Sequence, residues 1–348
     1  MDKIILFSIC IDVWRRFSIF SESLSQATNY NTNKYMKNKL LSLASLLAVF
    51  NVNAIEVGPT GSGVEMSGFV DIASEMRGDD TETTAGQVEV NFSFVSGSVS
   101  SNIGLDFGAG SKYASEGNLE EAYITYDFGN GFSVTGGKML SYMGFEAFDP
   151  TNMYQYSYAY DVDAAIITGG GIQSIYDAHD FGASIDYGTD SFSIGVWSSL
   201  EANAGYELAL AFTGIENFTA KAIWSDFSDQ GYEKSTYWVS YSMDKLLLAA
   251  EIAENDQLTN GNDVDGILFM ANYAVSDSVG LTVRYSEEEV TGATNSTVAY
   301  DGSKITISPS YVFNDNFSGL IEYSTYDMDS GTITEPKELI AAEFIYTF

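Results

Sequence analysis

From about residue 64 to residue 348, apolar and polar side chains alternate with a period of two. In 87–95, Val88, Val90, Phe92 and Phe94 share one face, and Gln87, Glu89, Asn91 and Ser93 share the other. Successive side chains of a strand point to opposite faces, so each segment presents one oily and one wet side. The same dyad recurs in Val64/Met66/Val70/Ile72 against Glu65/Ser67/Asp71. It returns in Ile103/Leu105/Phe107 against Asn102/Asp106, in Ala220/Ala222/Trp224 against Thr219/Lys221, and in Leu281/Val283/Tyr285 against Thr282/Arg284.

A soluble sandwich also alternates, and three features favour a membrane ring instead. The segments approach the roughly 9–11 residues that cross a bilayer at a tilt. Apolar rows end in Tyr, Phe or Trp, as an interfacial girdle does, and short turns alternate with long polar loops. The turns are 96–98, 129–131, 188–190, 213–216, Asp244, 276–278 and 314–316. The loops lie near 75–85, 109–117, 141–170, 199–204, 227–233, 255–264, 287–302 and 327–337. Fifteen connections predict sixteen strands, and even parity places both ends on the periplasmic side. Twelve, fourteen and eighteen strands also fit. Segment 171–187 reads as one long projecting strand, with two short strands as the alternative. Lipid satisfies no open strand edge, so the expected fold is all-β: a closed antiparallel transmembrane barrel, with short periplasmic turns and longer extracellular loops. Sixteen strands leave room for water.

The start of the chain reads as an address. Lys37 and Lys39, the apolar run from Leu40 to Phe50 and Val52-Asn53-Ala54 form a signal peptide over 36–54, cut after Ala54. Residues 1–35 read as an upstream extension, and 55–348 as the barrel. One long signal sequence is the alternative. Cys10, the only cysteine, then leaves with the leader. Of 15 basic and 48 acidic residues, 6 and 3 lie in 1–54, which leaves 9 and 45 and a net charge of −36. That balance excludes nucleic acid as a natural partner.

The last strand alternates Ile340, Ala342, Phe344, Tyr346 and Phe348 and resembles the closing-strand signal read by the barrel assembly machinery. Glu121-Ala-Tyr-Ile-Thr-Tyr-Asp-Phe-Gly-Asn-Gly-Phe-Ser-Val-Thr-Gly-Gly-Lys138, followed by Gly144-Phe-Glu146, resembles Gram-negative outer-membrane porins, most of all the OmpL-like putative β-barrel porin family. Ser67-Gly-Phe-Val-Asp71 is similar to the first strand of general porins. The local match covers about forty residues of the family pattern. The resemblance implies passive diffusion of small hydrophilic solutes and ions, no enzyme activity, contact with outer-membrane lipid and lipopolysaccharide, and a homotrimer. The arginine cluster of general porins is missing from the candidate pore segments, which removes the basis for anion preference.

Loop 141–170 is the candidate to fold inward and narrow the pore, with Glu146, Asp149, Asp161 and Asp163 as constriction carboxylates and Lys138 at its foot as counter-charge. Carboxylates in a narrow, low-dielectric passage favour cations. Glu65, Asp71, Glu89, Asp106, Glu121, Lys221, Arg284, Glu322 and Glu343 sit on polar strand phases, and the lumen is their expected face. The alternative is a non-transport barrel acting as adhesin, receptor or structural envelope protein. His179 reads as a loop or rim residue; no motif marks a nucleophile, and no cofactor is expected. Asn260 to Gly266 fails the calcium-loop spacing, because Gly261 would hold the first ligand position and Asn272 the twelfth, so no metal is expected there.

Overall fold

The computed structural model describes residues 54–59, 61–77, 80–109, 118–146, 148–161, 175–201, 205–257, 262–291, 300–329 and 338–348. The predicted upstream extension and signal peptide lie outside them, apart from Ala54. The strands are β1 (Ile55–Glu56), β2 (Val64–Arg77), β3 (Asp80–Ser96), β4 (Val99–Ala109), β5 (Asn118–Asp127), β6 (Phe132–Leu140), β7 (His179–Gly188), β8 (Phe192–Ser199) and β9 (Tyr206–Ile215). They continue as β10 (Phe218–Phe227), β11 (Tyr232–Met243), β12 (Leu246–Gln257), β13 (Asn262–Ala274), β14 (Val279–Thr291), β15 (Tyr300–Asn314), β16 (Phe317–Asp329) and β17 (Glu338–Thr347).

From β2 onward each strand pairs antiparallel with the next, and β17 returns to β2 through the register Leu339↔Arg77 to Thr347↔Phe69. Gly68 and Phe348 exchange backbone bonds at 2.9 and 3.0 Å, which extends that seam. Among the described residues the ring therefore has sixteen strands, and the two-residue β1 lies against the foot of β2. No strand edge is left open along the ring, which is the condition for a sheet in lipid.

The faces are inverted relative to a soluble protein. β8 is strictly alternating: Phe192, Ile194 and Val196 are exposed while Ser193, Trp197 and Ser199 are buried. Ile124 at 61% and Ile185 at 60% stand open on the outside, whereas Asp71, Arg284 and Glu322 are fully enclosed. Exposed apolar rows around a polar interior are stable only if lipid covers the outside. Aromatic pairs gather beside the short turns: Tyr126–Phe128, Phe132–Tyr187, Tyr311–Phe313 and Phe317–Phe344.

Three expectations need correction. The strands run longer than expected, so most of 75–85 is paired strand, as are 255–257, 287–291 and 327–329. Continued pairing satisfies the backbone even where water replaces lipid. The turn after β9 is also shorter than expected, at Glu216–Asn217, with Asn217 at φ 62°. Segment 171–187 contributes one strand, but it begins only at His179. Ile175 and Tyr176 belong to the preceding loop and are buried in the interior; 171–174 lie outside the described residues.

Candidate functional site: the lumen and its inward loop

The connection between β6 and β7 folds into the ring. Among its described residues, 141–146, 148–161 and 175–178, the regular structure is a short 3-10 turn at Pro150–Asn152. Its backbone N–H groups therefore need partners from elsewhere. Carboxylates of the wall supply them. Glu207 of β9 accepts from Ser141 Oγ at 2.7 Å and Tyr142 N at 2.9 Å. Glu251 of β12 accepts from Phe145 N at 2.9 Å and from the phenols of Tyr160 and Tyr176. Glu322 of β16 accepts from Ser157 N at 2.9 Å and from its hydroxyl.

The loop answers with carboxylates of its own. Glu146 pairs with Arg284 of β14, and its second oxygen accepts from Ala159 N at 2.7 Å. Arg284 also donates to Ser157 O at 2.7 Å and Tyr158 O at 3.1 Å. Lys304 of β15 pairs with Asp161 at 2.8 Å, and Lys234 of β11 with Asp177 at 2.6 Å. Arg284 and Lys304 are enclosed by these contacts. A buried charge is tolerated only when paired and hydrogen-bonded in this way.

Part of the interior is dry. Tyr156, Ala159, Tyr160, Ile175 and Tyr176 of the loop pack on Ala249, Ala253, Val264, Leu268 and Leu339 of the wall. The polar phase of a strand thus carries apolar residues where the loop covers it. Gly266 lets this happen on β13, because a Cβ there would lie 2.6 Å from Ile175 Cδ1 and from the Tyr160 ring.

On the β3–β5 wall the interior is acidic. Glu89 faces Asp106 across the β3–β4 pair. In β5 the register shifts: Gly104 pairs with Glu121 and Leu105 with Leu119, so Glu120 is the extra residue of a bulge. Glu120 and Glu121 lie 3.7 and 3.5 Å from the two ring nitrogens of His179. Phe148 stands edge-on to that imidazole, and among the described residues no serine hydroxyl is bonded to it. Asp149 comes down from the loop beside Glu89 and Glu120. Burial pushes the Asp149 carboxyl up to about 6; His179 draws it down, and Glu121 and Asp106 raise it further.

The predicted site residues thus fall into groups. Glu146, Asp149 and Asp161 are on the inward loop, and Asp163 lies outside the described residues. Asp71, Glu89, Lys221, Arg284, Glu322 and Glu343 are buried in the interior, while Asp106 and Glu121 are half-buried. Glu65 keeps the inward phase but is exposed near the short-turn end, where it pairs with Glu56 of β1. Lys138 does not stand at the foot of a constriction. It pairs with the outward-facing Phe181, and its ammonium reaches back to Leu119 O at 2.7 Å. Unbroken register through Gly136-Gly137, with Gly137 at φ 140°, keeps Lys138 on the outer phase. Sequence reading missed Glu207, Lys234, Glu251 and Lys304. Each had a usable signal: a charge on the polar phase of an apolar-flanked strand, which lipid would reject.

A closed ring of sixteen strands, oily outside, with a loop folded into a charged interior, is the architecture of an outer-membrane porin. The chain belongs to the family described as "Putative beta-barrel porin-2, OmpL-like", whose model matches residues 75–348. Solved structures with the same fold include OmpF of Salmonella typhi in complex with daunomycin, at TM-score 0.61 and 14% identity over 84% of this chain and 100% of that one. OmpT of Vibrio cholerae gives 0.59 and 14% over 85% and 100%, and the outer-membrane channel DcaP of Acinetobacter baumannii gives 0.59 and 12% over 84% and 100%. No curated protein matches the sequence. The protein resides in the outer membrane.

Proposed function

We propose that the barrel is a passive channel for small hydrophilic solutes and ions, with a preference for cations, rather than an enzyme. The observation that carries the preference is the unequal disposition of charge. Arg284, Lys304 and Lys234 are all spent on carboxylates of the inward loop. The carboxylates of Glu89, Asp106, Glu120 and Glu121 crowd the β3–β5 wall with Asp149 of the loop beside them, and the basic group in contact there is His179. Fixed negative charge between low-dielectric walls raises local cation concentration and repels anions.

Reconstitution in planar bilayers under a KCl gradient tests this. Stepwise currents are expected, with a reversal potential of the sign that potassium sets. A silent bilayer, or a reversal potential set by chloride, overturns the reading. One of the similar structures is a trimer form of OmpT, and a homotrimer is the assembly we propose here. Cross-linking in native membranes checks it: a ladder ending at three subunits is expected, and a monomer band alone would refute it.

A further inference from the structure

Three carboxylates meet on the inner wall without enough positive charge. Glu89 comes from β3, Glu120 from the bulge of β5, and Asp149 from the loop just before the 3-10 turn. One oxygen of each lies within 4.8 Å of the others. Three separate segments of the chain thus converge on one point.

Glu89 gives the second observation. It is 5% exposed, and one of its oxygens accepts from the Asn91 amide. The other, Oε2, is enclosed and has no N–H or hydroxyl donor among the described residues; the carboxyl group of Asp149 beside Glu89 can bond to it only by sharing a proton. A buried carboxylate oxygen with no donor is costly and calls for a proton, an ordered water or an ion. His179 approaches Glu120 at 3.7 Å but is shared with Glu121. It also draws on Asp149, so a single imidazole faces the carboxylates of Glu89, Glu120, Glu121 and Asp149.

We propose that Glu89, Glu120 and Asp149 hold one calcium ion against the inner wall and so tie the inward loop to β3 and β5. The donor set is all oxygen and all anionic, which suits a hard divalent cation. Calcium takes six to eight oxygen ligands in flexible geometry, which suits three carboxylates brought in by three separate segments; magnesium, with its near-ideal octahedral demand and its tightly held waters, suits them less well. Water in the lumen completes the shell. The ion also gives the loop an anchor on strands other than those that carry Arg284 and Lys304. The inference goes beyond conduction: the site binds whether or not current flows.

The test uses the purified full-length barrel in detergent, stripped with a chelator, and titrated calorimetrically with calcium chloride in KCl buffer. One saturable site is expected, with a Kd of about 10⁻⁴–10⁻³ M, typical of modules outside the cell. Glu89→Gln and Asp149→Asn should each weaken it at least tenfold, and magnesium chloride should bind more weakly than calcium. Asp149 lies on the loop, so its variant leaves the wall intact and remains informative if Glu89→Gln fails to fold. Absence of saturable binding, or equal binding by wild type and the Asp149→Asn variant, overturns the site: the oxygens then share a proton, or the calcium sits elsewhere. Potassium currents recorded without calcium judge the channel reading separately.

Discussion

Lys304 on β15 donates to Asp161 on the inward loop at 2.8 Å, and both side chains are buried. The same ammonium reaches Ser157 Oγ at 2.5 Å and Tyr158 O at 3.0 Å, so its three donors all have acceptors. Removing one partner strands a charge in a dry place, which costs about 3–5 kcal/mol, whereas removing both is far milder. Asp161→Leu alone should therefore loosen the loop more than Asp161→Leu combined with Lys304→Met. Limited proteolysis within 141–178 reads the difference, with faster cleavage in the single variant. Equal cleavage rates in the two would refute the pairing.

Gly266 offers a way to push the loop without touching a charge. A valine there should collide with Ile175 and the Tyr160 ring while leaving the outer face of β13 unaltered. The expected result is a barrel of normal folded mobility with a larger single-channel conductance. Unchanged conductance would mean that the loop does not restrict the passage.

The buried phenols of the loop respond to pH. Burial raises Tyr158, Tyr160 and Tyr176 above the ordinary tyrosine value; Asp149 and Glu146 raise Tyr158 further, and Glu251 and Glu146 raise Tyr160 and Tyr176. The docked loop thus holds the neutral phenols more tightly than the released loop does. That stabilisation is fully present below about pH 10, the ordinary phenol value, and fades as pH climbs through the raised ones. Phenolate absorbance should rise in two phases: surface tyrosines first, loop tyrosines only on release. A single phase at the ordinary value would show that the phenols are wet.

On the outer face the reverse chemistry applies. Ile307 lies mid-strand in β15 and is 45% exposed. Ile307→Arg should cost about 2–4 kcal/mol of folding stability in phospholipid bilayers if its position is near the midplane. Urea titration of liposome-folded barrel measures it. A neutral effect would mean that lipid does not touch this row.

Much of the fold was legible because the code for a lipid-facing strand is local. Val88, Val90 and Phe92 against Gln87 and Glu89 announce both the strand and its facing. Strand ends were harder to read, since pairing past the membrane needs no alternation; hence the early start of β3 and the late end of β14. The loop's inward course followed from its length and acidity, but its anchors did not. Glu251 meets Phe145 only through ring closure, which no short window of sequence contains. Lys138 was misplaced for a related reason: a Gly-Gly pair permits a bulge, and only the register with β7 shows that none forms there.

The pairing of β17 with β2 joins residues more than 250 positions apart in the chain. Every other strand can zip to a neighbour just synthesised, but this last junction has to wait for the rest. Until then both rims of the curling ribbon are adhesive, ready to capture each other or a stranger. For a polypeptide of this design the interval before the two rims meet is therefore the period of greatest exposure to wrong partners.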